Sequence, residues 1–196
     1  MRERILENEW FYCHHLSSMD ESDIAGFEVK HPEYGQGLAD YIIHFAIKDE
    51  QAGIMRTYLV RDKKTDEMVG YYSLKSGMVS LNERELADNE VVFDTLPGIE
   101  LANFAVDQRY IIAHPGQFNI GLKVFRDFIR PMAIQHSIYI GTLLLYIFAL
   151  PQETLISRYS ERYGFRRLNG DDEDMLHRRM KPRYDRSCIF MYQLLK

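Results

Sequence analysis

The sequence predicts one mixed α/β domain over residues 1–196, a mostly antiparallel central sheet flanked by helices. Three observations carry this. An apolar stripe at helical spacing begins at Leu38 and is followed by two short β-rich runs joined by a polar turn. The stretch Pro97–Pro131, PGIELANFAVDQRYIIAHPGQFNIGLKVFRDFIRP, reads as a strand, a polar loop and an amphipathic helix. An almost unbroken apolar run, Tyr139–Leu150, then leads into a proline-initiated helix and a closing strand.

Composition bounds the class. Of 196 residues, 46% are hydrophobic and 27% charged, so the chain can bury a sizeable core. The net charge of −5 argues against a surface coated for nucleic acid. Cys13 and Cys188 are the only cysteines and lie far apart, which suits a reducing compartment and excludes a disulfide framework. The opening MRERILENEW mixes charges of both signs without an apolar run, unlike a signal peptide. The most apolar segment, Ile138–Leu150, is too short to span a bilayer. The expectation is a soluble cytoplasmic protein.

Taken in order, residues 1–37 form an N-terminal extension of short elements and loops, with a turn-like HPEYGQG at His31–Gly37. Cys13-His14-His15 lacks a second cluster at ligand spacing, so no metal site is assigned. Leu38, Tyr41, Ile42, Phe45 and Ala46 share one face of a helix that stops at Gly53. Met55–Val60 and Met68–Leu74 are strands of a hairpin turned by DKKTDE. Gly70 inside the second strand predicts a bulge or a close backbone approach. Asn82–Glu90 is polar and reads as a loop or short helix.

In the Pro97–Pro131 stretch, IELANFAV is the strand and HPGQFNIG the turn. Ile120, Val124, Phe125, Phe128 and Ile129 form the buried stripe of the helix. Tyr139–Leu150 is a strand buried on both faces. Pro151 starts a helix, Gln152–Tyr163, which Gly164 ends. Phe165–Leu168 is a short strand, GDDED at Gly170–Asp174 a loop, and Ser187–Leu194 the last strand. A strand that feeds a helix through small residues leaves backbone N–H groups at the helix start, a generic anion site.

Four segments together resemble the GNAT superfamily of acetyl-CoA-dependent N-acetyltransferases, over roughly residues 38–195. They are LADYIIHFAIKDEQAGIMRTYLV (Leu38–Val60), VGYYSL (Val69–Leu74), IELANFAVD (Ile99–Asp107) and YSERYGF (Tyr159–Phe165). The resemblance implies a GNAT-like acyl-CoA N-acyltransferase fold, with acetyl-CoA as co-substrate. It implies that the pantetheine arm lies along Phe104, Ala105 and Val106, and that the pyrophosphate sits at the loop and helix start. If Gly121 fills the last position of the family's loop pattern, Asn119 stands where a Gly belongs and Gly116 where Gln or Arg belongs, with Gln117 one residue away. Asn tolerates a left-handed backbone. The loop is also longer than the family's between Asp107 and Gly116.

Acetyl transfer moves two protons, one from the amine and one to the departing thiolate. The resemblance implies Glu100 as general base; a Glu at the strand's start with a structural role fits the residues equally. For the acid, an ungapped count from Gly164-Phe165 gives Ser160, and a slip of one residue gives Tyr159. A phenol is the better acid, which favours Tyr159 with Ser160 second. Tyr163 is expected to pack in the core.

The acceptor is an amine, on a small molecule or a macromolecule. The branch resembled includes toxins that acetylate aminoacyl-tRNA. Arg158, Arg162, Arg166, Arg167 and HRRMKPRYDR (His177–Arg186) would serve such a partner, against the net negative charge. A catalytically degenerate acyl-CoA-binding or interaction protein is the other alternative. An edge strand near the C-terminus would suit a homodimer.

Overall fold

In the computed structural model, which describes residues 3–85, 91–180 and 186–196, β1 (Leu6–Glu7) and β2 (Phe11–His15) pair antiparallel. Beyond them come α1 (Glu21–Ile24), α2 (Pro32–His44) and α3 (Ala46–Gln51). The helix expected from Leu38 therefore begins earlier, within HPEYGQG. Pro32 sits in its first turn, where a missing N–H is harmless. Gly35 lets the turn close against Val29, whose Cγ2 would lie 3.3 Å from an added Cβ.

β3 (Arg56–Asp62) and β4 (Met68–Glu85) form the expected hairpin, its turn closed by the Asp62 amide donating to Glu67 O at 3.0 Å. β5 (Val91–Val106) follows. The loop or helix read over Asn82–Glu90 is corrected in its first part, since residues 82–85 continue β4; 86–90 lie outside the described residues. Polar residues extend a strand readily when the neighbouring strand supplies the ladder, because β-propensity depends mainly on context.

The next surprise is α4 (Gln108–Ala113), in what read as loop. Buried Asp107 caps it, accepting from the Arg109 amide at 2.9 Å. α5 (Ile120–Val124), a π-helical turn at Phe125–Ile129 and α6 (Arg130–Ile140) follow without a break. The helix thus runs on past Pro131. The Arg130 amide bonds to Phe125 O, five residues back, and this widened turn stands directly before the proline that cannot donate. All five stripe residues, Ile120, Val124, Phe125, Phe128 and Ile129, are buried.

β6 (Leu144–Ala149) begins five residues later than read, because Tyr139 and Ile140 end α6 and Gly141 turns the chain at φ +66°. α7 (Glu153–Glu161) matches expectation. GDDED is a helix start instead of a loop, the first residues of α8 (Gly170–Arg179). Asn169 caps it by accepting from the Asp172 amide at 3.0 Å. Acidic Asp171, Asp172 and Glu173 lead it and His177, Arg178 and Arg179 close it, as the helix dipole favours. Phe165–Leu168 contributes a single bridge, Arg166 to Tyr192 of β7 (Ile189–Leu194).

The seven strands follow chain order in one mixed sheet, β1 to β7. β5 and β6 run parallel, while β1/β2, β2/β3, β3/β4 and β6/β7 are antiparallel. The fold class expected from sequence is the one observed. Among the described residues no helix is long and apolar enough to cross a membrane.

Two compact units divide the chain. One comprises Met1–Lys75 and Leu101–Pro131, the other Ser76–Glu100 and Met132–Lys196. The first has a core of Leu16, Ile24, Phe27, Ile42, Leu59 and Tyr71, with Ala105 packed on it. The second has Val79, Leu144, Tyr146, Leu176 and Phe190.

Gly70 meets both sequence expectations. The β3/β4 register shifts between Val60 and Arg61, opposite this glycine. An added Cβ would also stand 2.5 Å from Ala105 O and 3.0 Å from Val106 Cα. Both are backbone atoms that cannot swing aside, so Gly70→Ala is expected to cost about 1–3 kcal/mol in chemical denaturation, as overpacking does.

Candidate active site

The end of β5 and the helix that follows it belong to the first unit. The Asp107 amide donates to Val69 O of β4 at 2.9 Å. Amides alternate sides along a strand, so the peptide groups of Val106 and Phe104 turn toward the edge opposite β4. All three of Phe104, Ala105 and Val106 are partly buried. The parallel ladder with β6 covers Gly98–Glu100, paired with Leu144–Tyr146.

The chain then turns through α4 and residues 114–119. Asn119 holds φ 55°, ψ 35°, the left-handed conformation expected of it as a glycine substitute, and is the N-cap of α5. The first intrahelical bond runs from the Lys123 amide to Asn119 O at 3.0 Å. The amides of Ile120, Gly121 and Leu122 precede it and have no intrahelical acceptor. Gly121 is partly buried within α5, whereas Gly116 is exposed on the turn with no atom near an added Cβ.

Gln117 is held from two sides. Its amide N donates to His114 O, and its side-chain Nε2 donates to the Tyr110 hydroxyl, both at 3.0 Å. The Tyr110 hydroxyl in turn donates to Asp62 Oδ2 at 2.5 Å. Burial pushes the Tyr110 phenol well up, and the Asp62 charge pushes it the same way. For Asp62 burial also works upward, but the Tyr110 hydroxyl and the amides of Lys64 and Thr65 outweigh it and hold the carboxyl below its ordinary range. Sequence reasoning missed Tyr110 and Asp62. The signal available was the Asp-Gln-Arg start of a short helix, with Asp107 at the cap position before RYIIA.

The remaining candidates belong to the second unit. Tyr159 lies on α7, edge-to-face with Phe165 at 5.6 Å and Tyr163 at 5.4 Å between centroids. Burial raises its phenol well above the ordinary range, Tyr163 adds to this and Arg158 opposes it. Tyr159 therefore keeps its proton throughout the neutral range. Ser160 is exposed, and its hydroxyl donates back to Ile156 O at 3.1 Å and Ser157 O at 3.2 Å. Tyr163 is partly buried and packs against Tyr159.

Glu100 is 5% exposed on β5, beside Tyr146 in register. Burial raises the Tyr146 phenol, and the charge and hydrogen bond of Glu100 raise it further. Glu100 thus holds a structural contact with Tyr146 as well as being a buried carboxylate. Among the described residues no group of His, Cys, Asp and Glu is arranged to hold a metal ion. Cys13 and His14 are buried in β2.

No family model matches the chain. Its fold does match solved structures. A Tyr-to-Phe variant of KacT aligns with TM-score 0.65 at 16% identity, covering 95% of this chain and 96% of that one. A Tyr-to-Phe variant of the AtaT toxin, bound to the C-terminus of the antitoxin AtaR and acetyl-CoA, aligns at 0.59 and 16%, covering 94% and 93%. A KacTA–DNA complex aligns at 0.62 and 18%, again covering 94% and 93%. At this identity the likeness establishes the fold, a GNAT-like mixed sheet over nearly the whole chain.

Proposed function

We propose that the chain is an N-acetyltransferase that moves the acetyl group of acetyl-CoA to a primary amine by direct attack in a ternary complex. The observation that carries this reading is the end of β5 leading, through left-handed Asn119, into the helix-start amides of Ile120, Gly121 and Leu122, which have no intrahelical acceptor. In a GNAT-like fold this is where the donor would bind. The pantetheine arm would pair with the outward peptides of Phe104 and Val106, beside Ala105. The pyrophosphate would accept from the helix-start amides, with Gly121 allowing close approach and Gly116 and Gln117 on the turn before it. Residues 1–196 are read as one catalytic domain.

In the reaction the acceptor nitrogen attacks the acetyl carbon, and the carbon–sulfur bond breaks as the C–N bond completes. Buried Glu100 is the proposed base that takes the proton of the amine. Tyr159 is the proposed acid, hydrogen-bonding and then protonating the thiolate of CoA. Exclusion of water raises thiolate and phenol alike, so the buried setting does not by itself oppose the transfer. Ser160 is the weaker choice because its hydroxyl is already committed to its own helix.

Calorimetry with acetyl-CoA tests the reading. The expected result is saturable heat and a rise in melting temperature. Neither signal would remove the acetyltransferase reading and leave the degenerate interaction protein, which keeps the fold without this ligand.

The structural neighbours favour a second, narrower reading, a toxin of a toxin–antitoxin pair, since one is a toxin solved with its antitoxin and acetyl-CoA. An antitoxin would then be a partner, and an aminoacyl-tRNA the amine acceptor. Expression should arrest translation and yield acetylated aminoacyl-tRNA; normal growth with no such product overturns it.

A further inference from the structure

The residues that lengthen the loop before α5 form a lock between that loop and the β3–β4 hairpin. Asp62 ends β3, accepts from the amides of Lys64 and Thr65 at 2.8 and 3.3 Å, and so is fixed by its own turn. Its other oxygen takes the Tyr110 hydroxyl at 2.5 Å. Because that hydroxyl donates to a carboxylate, its oxygen is left to accept, and it accepts from Gln117 Nε2 at 3.0 Å. The sequence of donors leaves one orientation for the Gln117 amide, with Oε1 directed away from Tyr110. That Oε1 is buried with no hydrogen-bond partner among the described residues, an acceptor for an incoming N–H or O–H donor.

A second tie runs alongside the first. His114 Nε2 lies 2.8 Å from Glu67 Oε2, just before β4, and its ring lies against Tyr110 at 4.2 Å between centroids. Phe11 packs edge-on to the other side of the Tyr110 cluster at 6.3 Å. The loop is therefore anchored at His114 and Gln117, the residues flanking Gly116 and leading to Asn119.

We propose that Tyr110 is a positioning residue for the donor site: through Asp62 it fixes the Gln117 side chain, and with it the turn that delivers Asn119 and the amides of α5. Gln117 Oε1 then accepts a hydrogen bond from an N–H of the pantetheine arm. This rests on the acetyl-CoA reading above. The longer loop compensates for its missing pattern residues with a side-chain relay, so that rigidity lost in the backbone motif is restored from the hairpin.

Tyr110→Phe keeps the ring and its packing against Phe11 and His114 and removes only the relay. The expected result is a rise of about tenfold in KM for acetyl-CoA, equal to about 1.4 kcal/mol, with kcat within about twofold. Hydrogen exchange at the Gln117 amide, bonded to His114 O, should accelerate in the same variant without donor. Gln117→Leu, on the partly exposed turn, should raise KM similarly, and the double variant should be no worse than Gln117→Leu alone. Unchanged KM and unchanged exchange in Tyr110→Phe, or additive losses in the double variant, overturn the proposal. Failure of the acetyl-CoA reading is separate and visible first, as absence of binding by the unaltered protein.

Discussion

Tyr159→Phe is expected to lower turnover by roughly 10²–10⁴-fold, the usual contribution of a positioned general acid. Acetyl-CoA affinity, measured by calorimetry, should stay within about twofold, because the proposed binding contacts to the donor lie on β5, α5 and the turn between them. The substitution keeps the ring and hence the edge-to-face packing against Tyr163 and Phe165. A loss of activity therefore reports the hydroxyl and not the fold, provided the melting temperature is unchanged. Ser160→Ala is the internal contrast. Its hydroxyl bonds only to its own helix among the described contacts, so turnover should be unaffected. Equal turnover in Tyr159→Phe and the unaltered enzyme would remove Tyr159 from the chemistry.

Arg61→Leu should produce the largest loss of stability, about 3–5 kcal/mol in chemical denaturation, the usual consequence of leaving a buried charge without its partner. Arg61 is 2% exposed on β3. Its Nη2 donates to Asp20 Oδ1 at 3.1 Å and to Asp23 Oδ2 at 2.5 Å, Nη1 donates to Asp66 O at 2.9 Å, and Nε to His14 Nε2 at 3.0 Å. Asp20 is fully buried, and it also accepts from the Ser17 amide and hydroxyl, at 3.0 and 2.9 Å, and lies 3.8 Å from His14 Nε2, so losing the guanidinium removes its strongest counter-charge. Replacing Asp20 with Leu at the same time removes the stranded charge and should recover much of the loss. If Arg61→Leu alone is as stable as the unaltered protein, the cluster is not holding α1 to the sheet.

The two substitutions differ in how readable their sites were. Proline and glycine placement put Tyr159 on a helix before Gly164-Phe165; the resemblance implied an acid there, with a slip of one residue, and the choice over Ser160 followed from the chemistry of a phenol. The stripe of Ile120, Val124, Phe125, Phe128 and Ile129 was legible because apolar periodicity survives in a linear string. Asn119 was legible for the same local reason, since the left-handed tolerance of Asn is a property of the residue itself. Arg61, Asp20 and Asp23 gave no such signal. A charged residue in a strand looks solvated until the fold brings in carboxylates from about 40 positions away.

Local physics decided most of the elements and missed those that needed a partner. GDDED looked like loop, but Asn169 at its cap and acid-to-base order along α8 satisfy the helix dipole, a signature the sequence did contain. Residues 82–85 looked too polar for a strand, and only pairing in the sheet makes them one. Periodicity, glycine and proline placement and the four family-like segments were enough to determine a mixed sheet and its strand–turn–helix at Pro97–Pro131, and to name candidates for the site. Tertiary structure alone decided that Tyr110 reaches Asp62 across the hairpin, that Ser160 turns back on its own helix, and that Glu100 is buried against Tyr146. Side-chain direction and burial are set by contacts between segments distant in sequence, and no local pattern encodes them.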